Sequence, residues 1–122
     1  MAARPYLALI VERFGAAVED LGFGHGVQAF AVPPELIVDL CRFLKEHPDL
    51  RFNFLSDIAG VDHHPATPRY EAVYHLYSLP NKWRVRIKCR LGDPPHVPSV
   101  TGVWRTANWH EREAWDMYGI VF

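Results

Sequence analysis

Hydrophobic positions along the chain switch between helical and extended periods. Leu7, Ile10, Val11, Phe14, Ala17, Val18 and Leu21 recur at the three- and four-residue spacing of one helix face. Pro5 suits a first-turn position and Gly22 a stop, so a first helix is predicted up to Leu21. Gly22, Gly24 and Gly26, crowded around Phe23 and His25, read as a helix-to-strand connection. Their GxGxG lacks the strand–loop–helix order of a dinucleotide fingerprint. Val27–Val32 is a short strand, and Pro33-Pro34 end it and open a second helix. In that helix Leu36, Ile37, Leu40, Cys41, Phe43 and Leu44 share a face up to Pro48.

Arg51–Ile58 is a second strand candidate, with Phe52 and Phe54 on one side and Asn53 and Leu55 on the other. Gly60 to Arg69, rich in Pro, His and Asp, reads as a loop. The clearest signal is a hairpin of about residues 70–78 and 83–91, joined across Pro80-Asn81-Lys82. Its second strand alternates strictly, with Trp83, Val85, Ile87, Cys89 and Leu91 on one side and Arg84, Arg86, Lys88 and Arg90 on the other. Asp93 to Ser99, with three prolines, is an irregular connection, and Val100–Trp104 reads as a further short strand. A closing helix from Trp109 to Tyr118 takes Asn108 as N-cap, Glu111 as the capping-box partner and Gly119 as the stop. The order predicts a single α+β domain over residues 1–122 with a mixed or antiparallel sheet, a central hairpin, two N-terminal helices and a closing C-terminal helix.

Composition narrows the function classes. Thirteen Lys and Arg against 14 Asp and Glu leave a net charge of −1, which argues against a general nucleic-acid binder. Two cysteines can supply neither a disulfide framework nor the four ligands of an iron–sulfur cluster. Both fall on apolar faces, where burial makes a thiol inert. Tyr6–Val11 is the longest apolar stretch near the N-terminus, too short for a membrane span or a secretory segment. The reading is a cytoplasmic chain that meets a membrane only through partners.

Candidate chemistry is sparse. Asp62-His63-His64 is the densest metal-ligand cluster, yet adjacent residues diverge and the chain has no HxxxH or CxxC spacing. Neither a nucleophile elbow nor a convergent acid/base pair is visible, so catalytic, cofactor-binding and metal-ligating residues are all expected to be absent. Interfaces are the better candidates. The closing helix carries Glu111, Arg112, Glu113 and Asp116 with Trp109, Trp115, Met117 and Tyr118, a load of aromatic anchors ringed by charge that suits a protein partner. Arg112 and Asp116 are spaced for an i,i+4 ion pair. The stripe Arg84, Arg86, Lys88 and Arg90 is a weaker interface candidate, with an acidic protein, a nucleic acid or plain solvent as its neighbour.

Asn108-Trp109-His110-Glu111-Arg112-Glu113-Ala114-Trp115-Asp116-Met117-Tyr118-Gly119-Ile120-Val121-Phe122 resembles the signature of the respiratory complex I 30 kDa subunit family, whose members serve NADH-quinone oxidoreductase. Val73–Leu79 and Arg84–Lys88 are similar to its hairpin, and Pro98-Ser99-Val100 and Leu55–Asp62 to other blocks. His63-His64-Pro65 departs from the Tyr-Pro usual after the Val-Asp motif. The family continues beyond Gly-Ile-x-Phe with a His-Pro and Arg-rich tail, which residues 1–122 are expected to lack.

The resemblance implies a scaffold subunit without its own redox centre, in the peripheral arm of NADH:quinone oxidoreductase. It implies the quinone-reducing large subunit and the terminal iron–sulfur subunit as partners, with FMN and the Fe-S clusters held by partner subunits. The place implied is the cytoplasmic side of the inner membrane, or the matrix side in a mitochondrion. On this reading Trp109, Glu111, Arg112, Glu113, Trp115 and Asp116 are structural or interface residues. Homologous subunits of membrane-bound hydrogenases and of deazaflavin-coenzyme dehydrogenases are the nearest alternative. A nucleic-acid module using the basic strand and a free-standing hydrolase are more distant ones.

Overall fold

A computed structural model describes residues 5–63, 69–92 and 95–122. His64 of the Asp62-His63-His64 cluster, the centre of the Gly60–Arg69 loop and part of the Asp93–Ser99 connection therefore lie outside the described residues. The elements run α1 (Pro5–Phe14), β1 (Glu19–Gly24), β2 (Val27–Ala31), α2 (Ile37–Glu46), β3 (Phe54–Asp62), β4 (Tyr70–Ser78), β5 (Trp83–Leu91) and α3 (Ala107–Tyr118). The five strands form one sheet in the order β1-β2-β5-β4-β3. Among the described strands only the β2–β5 pair is parallel, so the sheet is mixed and the fold is α+β as expected. The hairpin strands β4 and β5 have the limits read from their alternation, with Tyr70 opposite Leu91 and Ser78 opposite Trp83.

The N-terminal third differs from the prediction. α1 ends at Phe14, because Gly15 turns the backbone left-handed (φ 62°) and Val18 is already extended. Val18 and Leu21 therefore sit at helical spacing by coincidence, and Leu21 belongs to a strand. The glycine cluster shapes a β-hairpin rather than a connection to one. Gly22 (φ 99°) follows a register shift opposite β2, and His25 (φ 53°) with Gly26 (φ 77°) forms the two-residue turn. Two consecutive positive φ values give a turn whose twist matches the flanking strands.

Three further boundaries move. β3 begins at Phe54, three residues late, because Arg51 is left-handed (φ 47°) and Asn53 N–H closes back on the Arg51 carbonyl at 2.8 Å. A register shift at Ser56 then breaks the alternation, so Phe52 and Leu55 are buried while Phe54 is half exposed. β3 also runs on through Gly60 to Asp62, where the composition predicts a loop. Val100–Trp104 is a turn, closed by Val103 N–H on the Val100 carbonyl at 2.9 Å. α3 starts at Ala107 behind Thr106, which makes no side-chain cap, and Asn108 lies inside its first turn.

The three described α-helices serve one face of the sheet. α2 contributes Ile37, Leu40, Cys41 and Leu44 to the same cluster as Phe30, Tyr74, Leu76, Val85, Ile87 and Cys89. From α1, Tyr6 meets Phe30, Phe52 and Trp83 with ring centroids 5.1–6.4 Å apart. Burying one such Leu, Ile or Phe side chain contributes roughly 1.5–3 kcal/mol, so these residues dominate stability. The hairpin tip is tied to the α2–β3 link: Ser78 Oγ donates to the Leu50 carbonyl (2.6 Å) and Asn81 Nδ2 to the same oxygen (2.9 Å). Lys45 Nζ donates to the Val103 carbonyl, holding the 100–106 segment near α2. α3 lies against β3, where Gly60 is buried beneath Tyr118.

Cys41 and Cys89 are free and fully buried in this core. Burial pushes both thiols upward, Cys89 to about 12 and Cys41 further; Cys89 adds to the effect at Cys41, and Glu35 and Glu71 add to it at Cys89. Among the described residues none hydrogen-bonds the buried Tyr74 Oη, and burial pushes it up too.

Two expectations follow. A methyl at Gly60 meets the Tyr118 ring at 2.6 Å from Cγ and Ile120 Cδ1 at 3.1 Å. Gly60→Ala should therefore cost about 1–3 kcal/mol, with partial recovery in Gly60→Ala/Tyr118→Leu, measured from urea midpoints at constant slope. For the thiols, the folded state holds its protons to a higher pH than the unfolded one. Their contribution to stability is thus complete below the unfolded value of about 8.5 and declines as pH rises toward the folded value. At pH 8 a disulfide reagent should label neither cysteine in the native chain and both in urea; rapid native labelling would contradict the buried placement.

Candidate partner surfaces

α3 divides its residues between two sides. Ala107, Glu111 and Ala114 are buried and Tyr118 is half-buried, at the spacing of one helix face. Glu111 is thus a support of the fold rather than a surface group. Ser99 Oγ donates to its Oε1 (2.7 Å) and the Val100 N–H donates to its Oε2 (2.8 Å). Thr101 N–H in turn donates to Ser99 Oγ (3.2 Å), so one carboxylate organises the whole turn before the helix. This replaces the capping box expected from its spacing to Asn108. Charge-assisted bonds to a carboxylate are the strong kind, and burial makes them costly to lose.

The other side of α3 is open. Trp109, Trp115 and Met117 are 63%, 57% and 72% exposed, and Arg112, Glu113 and Asp116 lie among them. Among the described residues no ion pair joins Arg112 to Asp116; Glu113 instead lies 3.7 Å from His110 Nδ1. Past the helix Gly119 turns left-handed (φ 71°) and buries Ile120. Val121 then bridges to the segment before α3, donating to the Pro95 carbonyl and accepting from the Val97 N–H, both at 2.9 Å.

The second surface is the sheet face turned away from the helices. Arg84, Arg86, Lys88 and Arg90 all lie on it, but not as a free stripe. The register sets Asp57, His75 and Arg86 side by side across three strands. Arg86 Nε donates to His75 Nε2 (3.1 Å), so Nδ1 carries the hydrogen that Asp57 Oδ1 accepts at 2.5 Å. Glu71 is buried and lies 4.0 Å from Arg90 Nε and 3.7 Å from His63 Nε2. Arg84 rests over the Tyr77 ring at 5.4 Å, and Lys88 is flanked in the ladder by Ala31 and Val73. Beside Arg84 a groove of about 390 Å³ is lined by Val27, Phe54, Ser56, His75 and Tyr77.

Sequence patterns do not reveal the Asp57–His75–Arg86 row, although the hairpin register alone sets His75 opposite Arg86. Among the described residues no group of three or more His, Cys, Asp or Glu could hold a metal ion. No described helix is long and apolar enough to cross a membrane.

Comparison with known proteins gives these surfaces a context. Residues 30–122 match the family described as the respiratory-chain NADH dehydrogenase 30 Kd subunit. The chain is 77% identical to an NADH-quinone oxidoreductase subunit of Rhizobium etli, an alignment covering 100% of the chain and 66% of that relative. It is 47% identical to the corresponding NADH-quinone oxidoreductase subunit of a Roseiflexus species, over 94% of the chain and 69% of the relative. The chain thus spans about two-thirds of the length of these relatives. Among solved structures it superposes on a chain of the membrane-bound sulfane sulfur reductase, an archaeal respiratory membrane complex, with a TM-score of 0.82 and 27% identity. That superposition covers 96% of the chain and 68% of its counterpart. The family match, the identities and the fold agree: the chain belongs to the 30 kDa subunit family of the respiratory-chain NADH dehydrogenase.

Proposed function

We propose that the chain is a scaffold subunit, without a redox centre of its own, in the peripheral arm of an ion-translocating NADH:quinone oxidoreductase. The observation that carries this reading is the division of labour on α3. The family signature spends Glu111, Tyr118 and Ile120 on holding the helix in place, and leaves Trp109, Trp115 and Met117 facing outward. Large exposed aromatics ringed by charge are what a hot-spot surface for another polypeptide needs. Both cysteines are spent in the apolar core, which favours FMN and iron–sulfur clusters belonging to partner subunits. On this reading the partners at α3 are the quinone-reducing large subunit and the terminal iron–sulfur subunit. The chain then lies peripherally on the cytoplasmic side of the inner membrane, or the matrix side in a mitochondrion, and meets the membrane only through the complex.

A second reading keeps the scaffold role and changes the electron donor. It is favoured by the superposition on the sulfane sulfur reductase chain, a respiratory complex of a different name. Purifying the tagged full-length protein from gently solubilised membranes separates the two. Co-purification of iron–sulfur and flavin subunits with NADH-dependent quinone reduction supports the first reading. A complex reducing quinone or sulfur with another donor supports the second, and recovery as a lone protein sinks both.

The same purification tests the division on α3. Trp109→Ala/Trp115→Ala should leave stability within about 0.5 kcal/mol, as exposed substitutions do. Retention of the partner subunits should nevertheless fall about tenfold or more. Glu111→Ala should do the reverse first, costing about 2–3 kcal/mol of stability because two donors lose their acceptor.

A further inference from the structure

We infer that the helix-free face of the sheet is a second docking surface, and that its occupant is an acidic segment of a partner polypeptide. The inference rests on membership of a multisubunit complex, proposed above, for the source of that partner. Its own grounds are the residues of the face. Ala29 and Ala31 on one side of β5, and Val73 with Ala59 on the other, flank its cations with small side chains that leave them open to another chain. Phe54 is half exposed, and Phe54 and Tyr77 wall the groove of about 390 Å³ at one end. An exposed aromatic beside a groove and an arginine is the composition of an interface centre.

Charge selects the occupant. The face carries Arg84, Arg86, Lys88 and Arg90 against Asp57, Glu71 and, at the β1 edge, Glu19. Asp57 is engaged through His75 to Arg86, and Glu71 lies between Arg90 and His63. Glu19 and Arg90 line a common hollow at the far end of the face. Among the described residues Arg84 has only the Tyr77 ring as a partner, and Lys88, half-buried between small apolar residues, has no carboxylate within ion-pair distance. These two cations are four residues apart on one strand, about 13 Å. A segment bearing two carboxylates at that separation, with an apolar side chain entering the groove, satisfies both. Nucleic acid fits less well. The two carboxylates spent on Arg86 and Arg90 oppose a phosphate backbone, and the face offers no row of stacking rings.

Photo-crosslinking of the full-length protein in cells reads this surface directly, with benzoylphenylalanine placed at Tyr77 and, separately, at Trp109. The expected result at position 77 is a crosslink to a peptide rich in Asp or Glu, reduced about tenfold or more by Arg84→Glu/Lys88→Glu. A folded variant is certified by an unchanged crosslink at position 109. Should the double reversal disturb folding, Arg84→Gln/Lys88→Gln with a graded salt series replaces it, and the crosslink should weaken as salt rises. A crosslink at 77 to nucleic acid, to a basic or neutral peptide, or to nothing overturns the inference. Loss at 109 with an acidic crosslink retained at 77 overturns the α3 reading alone.

Discussion

The close approach of α3 to β3 governs much of the rest. With no side chain at Gly60, the Tyr118 ring can lie directly on the strand. That contact fixes the depth of the helix, and the neighbouring features follow from it. Glu111 then comes within bonding distance of the Ser99–Val100 turn, Gly119 can bend the chain, and Ile120 closes the core. Val121 pairs with the segment before the helix, so α3 is clamped at both ends. A helix held this way makes no use of its outer face, which leaves Trp109, Trp115 and Met117 exposed.

A sheet covered by helices on one side only sets a different constraint. The inner face holds the thiols, Tyr74 and nearly all the aliphatic bulk. The outer face cannot be apolar without exposing a large patch, and four cations on one strand cannot stand unpaired without mutual repulsion. Cross-strand pairing relieves half of this charge, since Asp57, His75 and Arg86 satisfy one another in a single row and Glu71 lies 4.0 Å from Arg90. What is left over, Arg84 on the Tyr77 ring and Lys88 between Ala31 and Val73, is the local excess on which specificity can act.

Legibility in the sequence follows the range of the interactions involved. β4 and β5 are readable to the residue because their alternation is unbroken and their connection is short. β1 is not, because Val18 and Leu21 extend the helical spacing of α1 past the left-handed turn at Gly15. Phe52, Phe54 and Leu55 mislead because the turn at Arg51 and the register shift at Ser56 interrupt their alternation. On α3 the aromatic load is plain, whereas the inward role of Glu111 is masked by a spacing that imitates a capping box. The Asp57–His75–Arg86 row joins three strands, and a bulge sets its register, so no local pattern announces it.

The parallel pairing of β2 with β5 has a consequence for how the molecule comes together. Val27 lies opposite Arg84, fifty-seven positions away in the chain (27 against 84). The β4–β5 hairpin closes locally, and β3 joins it through another antiparallel neighbour, so those three strands can nucleate as a unit. Of the described strands β1 and β2 are synthesised first, but their neighbour in the sheet, β5, leaves the ribosome after all the others. Until then the inner edge of β2 has no neighbour, and the turn at His25-Gly26 is its only short-range connection to a paired strand. The left-handed turn there closes locally the one pairing of β2 that does not wait for the chain to return through β5.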